Sequence, residues 1–110
     1  KFPNIESAYI DPVKHGIIAL SPEHPRGKHK ARVFEATFGI RQDDFQILLD
    51  AILSNLGRGI CIKGREDPFG LRFYVDMVLN IRECSGSVRT AWILCSGEDF
   101  ARLTSCFVKK

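Results

Sequence analysis

The sequence predicts an α+β domain in which N-terminal helices pack on one face of a four-stranded antiparallel meander sheet. Two observations predict this class. Apolar side chains recur at helical spacing in the first half of the chain, whereas from Gly59 onward short apolar, β-branched and aromatic runs alternate with turn residues. With 110 residues and 45% apolar content, the chain can bury one compact core. We therefore expect a single domain over residues 1–110, excised from a longer polypeptide.

The first two helices are expected on either side of a proline-containing loop. Asp11-Pro12, an N-cap followed by proline, predicts a short helix from Val13 to Leu20. A loop from Ser21 to Gly27 then leads to a helix from Lys28 to Phe38, which Gly39 ends.

The third helix has the clearest pattern. It opens at Asp43 or Asp44 and stops at Gly57. Its apolar residues share one face and belong to the core: Phe45, Leu48, Leu49, Ile52, Leu53 and Leu56.

Four strands follow, joined by short connections. Ser85-Gly86 and Ser96-Gly97 are typical hairpin connections, which makes the sheet antiparallel. The expected strands are Ile60 to Lys63, Leu71 to Leu79, Val88 to Cys95, and Arg102 to Val108.

The four cysteines lie in the second half without the spacing that zinc sites use. Cys61, Cys95 and Cys106 sit inside apolar runs, which favours reduced thiols. We expect no metal and no cofactor. No apolar run has the length that a membrane span needs.

The segment from His24 to Lys30 carries two of the three histidines together with a cationic cluster that Arg32 completes. The net charge of +3 is too small for a general polycation, so this cluster acts locally. His29 and Lys30 open a predicted helix, whose unpaired backbone N–H groups favour a phosphate. Lys30 borders the apolar side of that helix, where its ammonium either extends past the core edge to solvent or reaches a bound anion. His15 is expected to be a surface histidine or a satisfied histidine of the core.

Histidine, lysine, arginine and threonine are the residue types of metal-free phosphodiester transfer. A base takes the ribose 2′-OH proton, an acid protonates the leaving 5′-oxygen, and cations stabilise the charge on the phosphorane. The sequence shows no isolated carboxylate pair, no glycine-rich loop after a strand and no nucleophile elbow, and nothing activates a particular cysteine.

Two motifs carry a resemblance that covers nearly the whole chain. The first is the run from His24 to Phe34 with the pattern His-Pro-x-Gly-x-x-Lys-Ala-x-x-Phe, and the second is Thr90-x-Trp92. The sequence resembles a small domain at the C-termini of bacterial polymorphic and contact-dependent inhibition toxins. Its element order is similar to that of colicin D-type tRNases and to the nuclease fold shared by barnase, EndoU and RelE.

This resemblance implies a metal-independent ribonuclease that cleaves tRNA and leaves a 2′,3′-cyclic phosphate. In that interpretation Lys30 stabilises the phosphate, and either His29 or His24 transfers protons. Thr90 and Thr104 orient the scissile group. Trp92 either stacks a base or belongs to the core. The residues expected to bind RNA are Lys28, Arg32, Arg72 and Arg89.

The same resemblance implies RNA and a cognate immunity protein as partners. The domain would be delivered within a larger secreted or cell-surface toxin and would act in the target-cell cytoplasm. The alternative is a non-catalytic RNA- or protein-binding module that uses the same basic face. Nuclease immunity proteins tend to be acidic, so a pI near 8.8 argues that this chain is not the immunity half of such a pair.

Overall fold

The computed structural model describes residues 2–13 and 28–109, with the main chain alone at Lys28. The helix expected from Val13 to Leu20 lies outside the described residues beyond Val13. The loop from Ser21 to Gly27 lies outside them entirely.

The described residues form the expected α+β architecture. Helix α1 spans Lys28–Phe38 and α2 spans Phe45–Asn55. The strands are β1 (Ile60–Asp67), β2 (Gly70–Ile81), β3 (Cys84–Cys95) and β4 (Ala101–Val108). They form one antiparallel meander in the order β1-β2-β3-β4. The predicted fold class is therefore confirmed.

Local signals explain both helix boundaries. Gly39 ends α1 with a φ of +69°, and its N–H donates to the Glu35 carbonyl at 2.8 Å. A 3-10 turn over Gln42–Asp44 precedes α2, and the backbone N–H of Arg41 donates to the Asp44 carboxylate at 3.0 Å. A second 3-10 turn, Leu56–Arg58, follows α2 and contains the predicted stop at Gly57.

Both helices cover the same face of the sheet. Helix α1 contacts β3 and β4, and α2 contacts β2. The side chains between the layers are almost fully buried and include Phe34, Phe38, Leu48, Ile52, Val75, Leu79 and Val88. The other face, here called the open face, carries Tyr74, Asp76 and Val78 of β2 beside Arg89 of β3 and Phe107 of β4. Tyr74, Val78 and Phe107 are exposed there.

The turn between β2 and β3 differs from the prediction. It consists of Arg82 and Glu83, with φ values of 49° and 69°, while Ser85 and Gly86 lie inside β3. Two consecutive left-handed residues match the twist of a tight hairpin. Gly86 has a packing role instead, because a Cβ at that position would lie 2.7 Å from Cγ2 of Thr37 in α1. The connection expected at Ser96-Gly97 is present between β3 and β4.

A β-bulge interrupts the pairing of β3 with β4. Ala91 pairs with Ser105, but Trp92 pairs with Leu103, so Thr104 is the extra residue. Beyond the bulge, Ser105 and Phe107 lie on the open face with their partners Ala91 and Arg89. The bulge therefore places Ser105 and Phe107 on the open face of β4, which is an edge strand of the sheet.

Candidate functional site

A pocket lies between the first turn of α1 and the end of β4. It has a volume of about 210 Å³ and is lined by His29, Lys30, Val33, Phe107 and Val108. Its walls are mainly apolar, and His29 and Lys30 are its polar groups. His29 is exposed and Lys30 is half-buried. The side chains of His29 and Lys30 thus share this mainly apolar pocket with the exposed ring of Phe107.

Lys30 has an unusual partner for a half-buried cation. Its Nζ donates to the Oγ of Ser105 at 3.3 Å. Across residues 2–13 and 28–109, no carboxylate oxygen lies within ion-pair distance of this ammonium. A half-buried ammonium whose partner here is a neutral hydroxyl keeps N–H donors for a further acceptor, either water or an anion. This contact fits both interpretations of Lys30, extension past the core edge to solvent and binding of an anion.

Thiol chemistry is disfavoured near this pocket. All four cysteines are free. Burial raises the pKa of the Cys106 thiol to about 11, although the charge of Lys30 acts in the opposite direction. Burial also raises the pKa of Cys95, and a hydrogen bond with Glu98 adds to the increase. Neither thiol is therefore activated as a thiolate nucleophile.

Thr90 and Trp92 lie in the core rather than at the pocket. Thr90 is 0% exposed and Trp92 is 1% exposed. The indole Nε1–H donates to the Thr90 hydroxyl at 2.7 Å, and that hydroxyl donates to the Val75 carbonyl at 2.9 Å. Trp92 also meets the ring of Phe2 edge-on, with centroids 5.1 Å apart. Of the two interpretations of Trp92, this environment favours the core.

Arg72 and Arg89 are held by carboxylates. Arg72 Nε donates to Asp67 at 2.9 Å. Arg89 binds both oxygens of Asp76, at 2.7 Å through Nε and 2.9 Å through Nη2, and Lys109 Nζ donates to Asp76 at 2.7 Å. Hydrogen bonds from Arg89 hold the pKa of Asp76 far below its usual range against the opposing effect of burial, and Lys109 adds to the decrease. Two cations on one carboxylate leave this cluster with a net positive charge.

The remaining predicted residues fall at different distances from the pocket. Arg32 is exposed on α1, three residues beyond His29 and so on the same side of the helix. Thr104 is half-buried, and its hydroxyl donates to the Ala91 carbonyl at 3.1 Å. The side chain of Lys28 and the whole of His24 lie outside the described residues.

Sequence reasoning missed Ser105 and Phe107. Alternation along the predicted last strand could have shown that these two residues share a face. It could not have shown that Lys30 contacts Ser105 at the edge formed by β4, because the side on which Ser105 lies depends on the bulge at Thr104.

Two general features bear on the chemistry. Within the described parts of the chain, no group of three or more histidine, cysteine or acidic side chains is arranged to hold a metal ion. Among those same residues, no helix combines the length and apolar character needed to cross a membrane.

Comparison with known proteins identifies the family of the chain. A family model described as a domain of unknown function, DUF6883, matches residues 1–110. The chain belongs to the DUF6883 family. No curated protein and no solved structure matches it. The α1–β4 pocket therefore lies within the DUF6883 domain, since the match covers every residue that lines it.

Proposed function

We propose that this DUF6883 domain is a metal-independent ribonuclease toxin that cleaves tRNA and leaves a 2′,3′-cyclic phosphate. One observation carries the proposal. Lys30 is a half-buried cation whose partner among the described residues is the Ser105 hydroxyl, and it shares a pocket with His29. A phosphate with a proton-transfer group beside it is the ligand that suits these groups.

The chemistry follows from the residue types. A base removes the proton of the ribose 2′-OH, the 2′-oxygen attacks phosphorus, and the bond to the 5′-oxygen breaks as that oxygen gains a proton. Lys30 stabilises the negative charge that builds up on the phosphoryl oxygens. His29 transfers one of the two protons, and His24 is the alternative group for this role. DNA lacks the nucleophile and is not cleaved.

The surrounding cations extend the electrostatic attraction. Arg32 adds an exposed positive charge on the His29 side of α1. Arg89 lies opposite Phe107 in the register of β3 and β4, so the net positive cluster around Asp76 adjoins the pocket. Arg72 is farther along the open face and contributes to RNA binding while paired with Asp67.

The resemblance to C-terminal toxin domains supports the biological setting. In this proposal, a larger secreted or cell-surface toxin delivers the domain, and the domain acts in the cytoplasm of a competing cell. A cognate immunity protein neutralises it in the producing cell. An acidic surface on that protein would complement the cations around Lys30.

The test is cleavage of tRNA and total bacterial RNA by the purified protein in EDTA. Lys30→Met keeps the apolar stem of the side chain and removes its charge, and His29→Gln removes proton transfer. Lys63→Met is the matched control, because Lys63 is an exposed lysine on β1 at the opposite edge of the sheet. Discrete tRNA fragments are expected from the wild type and the Lys63 variant, with at least a hundredfold slower cleavage by the other two variants. Intact RNA with the wild type, or full activity of Lys30→Met, would overturn the proposal.

A specific observation favours a second candidate, a non-catalytic RNA- or protein-binding module. Exposed apolar side chains are spread across the open face: Ile60, at 70% exposure, and Ile62 lie on β1, Val78 lies on β2 and Phe107 lies on β4. Such a module would lose affinity gradually when Arg26, Lys28 and Arg32 are replaced in turn, and it would release no RNA fragments.

A further inference from the structure

We propose that the end of β4 is a track for single-stranded RNA, in which Phe107 stacks on a base and Lys109, together with Arg58, binds a phosphate beyond it. This inference rests on the proposed function and adds a second phosphate site to the one at Lys30. Neither Lys109, Arg58 nor Phe107 belongs to the expected set of substrate-binding residues.

The register of β4 aligns the three parts of the track. Ser105, Phe107 and Lys109 alternate along the chain after the bulge, so they lie on one face. The Lys109 N–H donates to the Ser87 carbonyl at 2.8 Å, which continues the pairing with β3 past Val108. Four residues of extended chain from Ser105 to Lys109 span about 13 Å. The Lys30 ammonium binds Ser105 at the first of these positions, and Lys109 occupies the last position.

Phe107 lies between the two cationic positions. Its side chain is 40% exposed, and it lines the pocket that contains His29 and Lys30. Its cross-strand neighbour is Arg89. Aromatic rings between basic residues are the usual arrangement for single strands, since every base has a face that can stack while the cations follow the backbone.

A second pocket adjoins the far end of the track. It has a volume of about 500 Å³, and Arg58, Asp76, Asn80, Ser87 and Lys109 contribute to its lining. Lys109 gives one hydrogen bond to Asp76 and keeps two N–H donors for another anion. Arg58 is exposed and has no ion-pair partner in the portion of the chain that the structure describes. Both cations can therefore bind a phosphate without breaking the Arg89–Asp76 pair.

The spacing favours a single strand over a duplex. A base can reach the ring of Phe107 only when it is unstacked from its neighbours, as in an RNA loop. The two phosphate sites lie on either side of that ring, which is the order of phosphate, base and phosphate along one strand. The substrate class is therefore a looped or otherwise unpaired RNA segment.

The test measures binding of a short single-stranded 2′-O-methyl RNA, which cannot be cleaved, by fluorescence anisotropy over a series of salt concentrations. Arg58→Ala and Lys109→Gln should each reduce the slope of log K against log salt by about 0.7, the value for one lost phosphate contact on a single strand. Lys109→Gln also breaks the ion pair with Asp76 and could change binding by disturbing the structure. Arg58→Ala breaks no ion pair among the described residues, so it serves as the control for that structural effect. Lys63→Ala, on the opposite sheet edge, should leave the slope unchanged.

The stacking step has its own comparison. Phe107→Leu should weaken binding about tenfold although it retains an apolar side chain, and Phe107→Trp should restore wild-type affinity. A residue with a purely packing role would tolerate leucine at least as well as tryptophan.

The possible failures can be told apart. Unchanged salt slopes in both cation variants, with RNA cleavage intact, would overturn the track alone. Slopes and affinities that change as expected, with no cleavage of natural RNA by the wild type, would overturn the nuclease and leave the track. Equal binding by Phe107→Leu and the wild type would overturn the stacking assignment.

Discussion

The indole of Trp92 and the hydroxyl of Thr90 are joined by a hydrogen bond of 2.7 Å inside the core. The same hydroxyl donates a hydrogen bond to the Val75 carbonyl of β2 at 2.9 Å. Thr90 is the buried polar side chain among the described residues, and its donor and acceptor capacities are both used. This pair links β3 to β2 and satisfies the one polar atom of a buried tryptophan.

Thr90→Val should therefore destabilise the protein by about 1–3 kcal/mol, because it leaves the Trp92 N–H buried without an acceptor. Thr90→Ser keeps the hydroxyl and should lose about 1 kcal/mol, the value of the deleted methyl group. Urea unfolding followed by Trp92 fluorescence measures both. A direct catalytic role for Thr90 would instead appear as lost cleavage with an unchanged unfolding free energy.

Asp76→Asn should reduce stability by about 2 kcal/mol at pH 7, because it removes the charged partner of Arg89 and Lys109. The pKa of Asp76 is lowered in the folded protein from the ordinary 3.8. Its contribution is therefore fully present above that value. It is lost progressively as the pH falls from there through the lower pKa of the folded protein, because the unfolded chain takes up the proton first. The difference in the free energy of unfolding between the wild type and Asp76→Asn should therefore shrink as the pH is lowered from about 5 to about 2. A difference that stays constant over this pH range would show that protonation of Asp76 does not change the stability of the protein.

Ser105→Ala should slow RNA cleavage about tenfold by releasing Lys30 from its position, while the KM for RNA stays near that of the wild type. Ser105 is a positioning residue in this account, so the hydroxyl of Ser105→Thr should restore the rate. Steady-state kinetics on tRNA separates the two parameters. Loss of rate in both variants would show that side-chain size, and not the hydrogen bond, matters at this position.

Gly70→Ala should destabilise the protein by about 3 kcal/mol or more, since the new Cβ would collide with the Leu94 carbonyl oxygen in the neighbouring strand. Gly97 is the matched control. It also has a positive φ, +84°, but nothing lies within 4 Å of its Cβ position. Gly97→Ala should therefore show only the conformational cost, about 1–2 kcal/mol. Similar losses in both variants would mean that the collision at Gly70 is relieved by movement of the strand.

Local sequence signals were sufficient for the bounds of α1. They were wrong for Leu53, which was expected in the core with the rest of its helix face and is 40% exposed. The bounds expected for the second helix, Lys28 to Phe38, are those of α1, because Gly39 supplies the left-handed ending that the chain needs. The first strand was expected to end at Lys63, yet β1 continues to Asp67. Its last four residues, Gly64 to Asp67, include three charged side chains, so their strand conformation depends on pairing with β2 and not on an apolar pattern.

Tertiary contacts explain what the sequence could not show. The β2–β3 turn uses Arg82 and Glu83, which have no special turn preference, and an ion pair of 2.8 Å joins Arg82 to Asp44 beside α2. His29 and Lys30 were predicted at the site from their own helix. Ser105 became their neighbour through a bulge in a strand 75 positions away from Lys30. Such pairings depend on register, which single-residue preferences do not encode.

The two edges of the sheet are each interrupted. On β1, the register shifts between Lys63 and Glu66 amid a run of charged residues. On β4, Tyr9 of the N-terminal segment pairs with Arg102, so among residues 2–13 and 28–109 no segment pairs with the outer edge of the second half of the strand. Unprotected edges are templates for intermolecular β-pairing, and bulges, charges and covering segments oppose it. A concentrated solution of this protein should therefore resist the growth of fibrils by edge-to-edge addition of strands, despite the apolar residues on its open face.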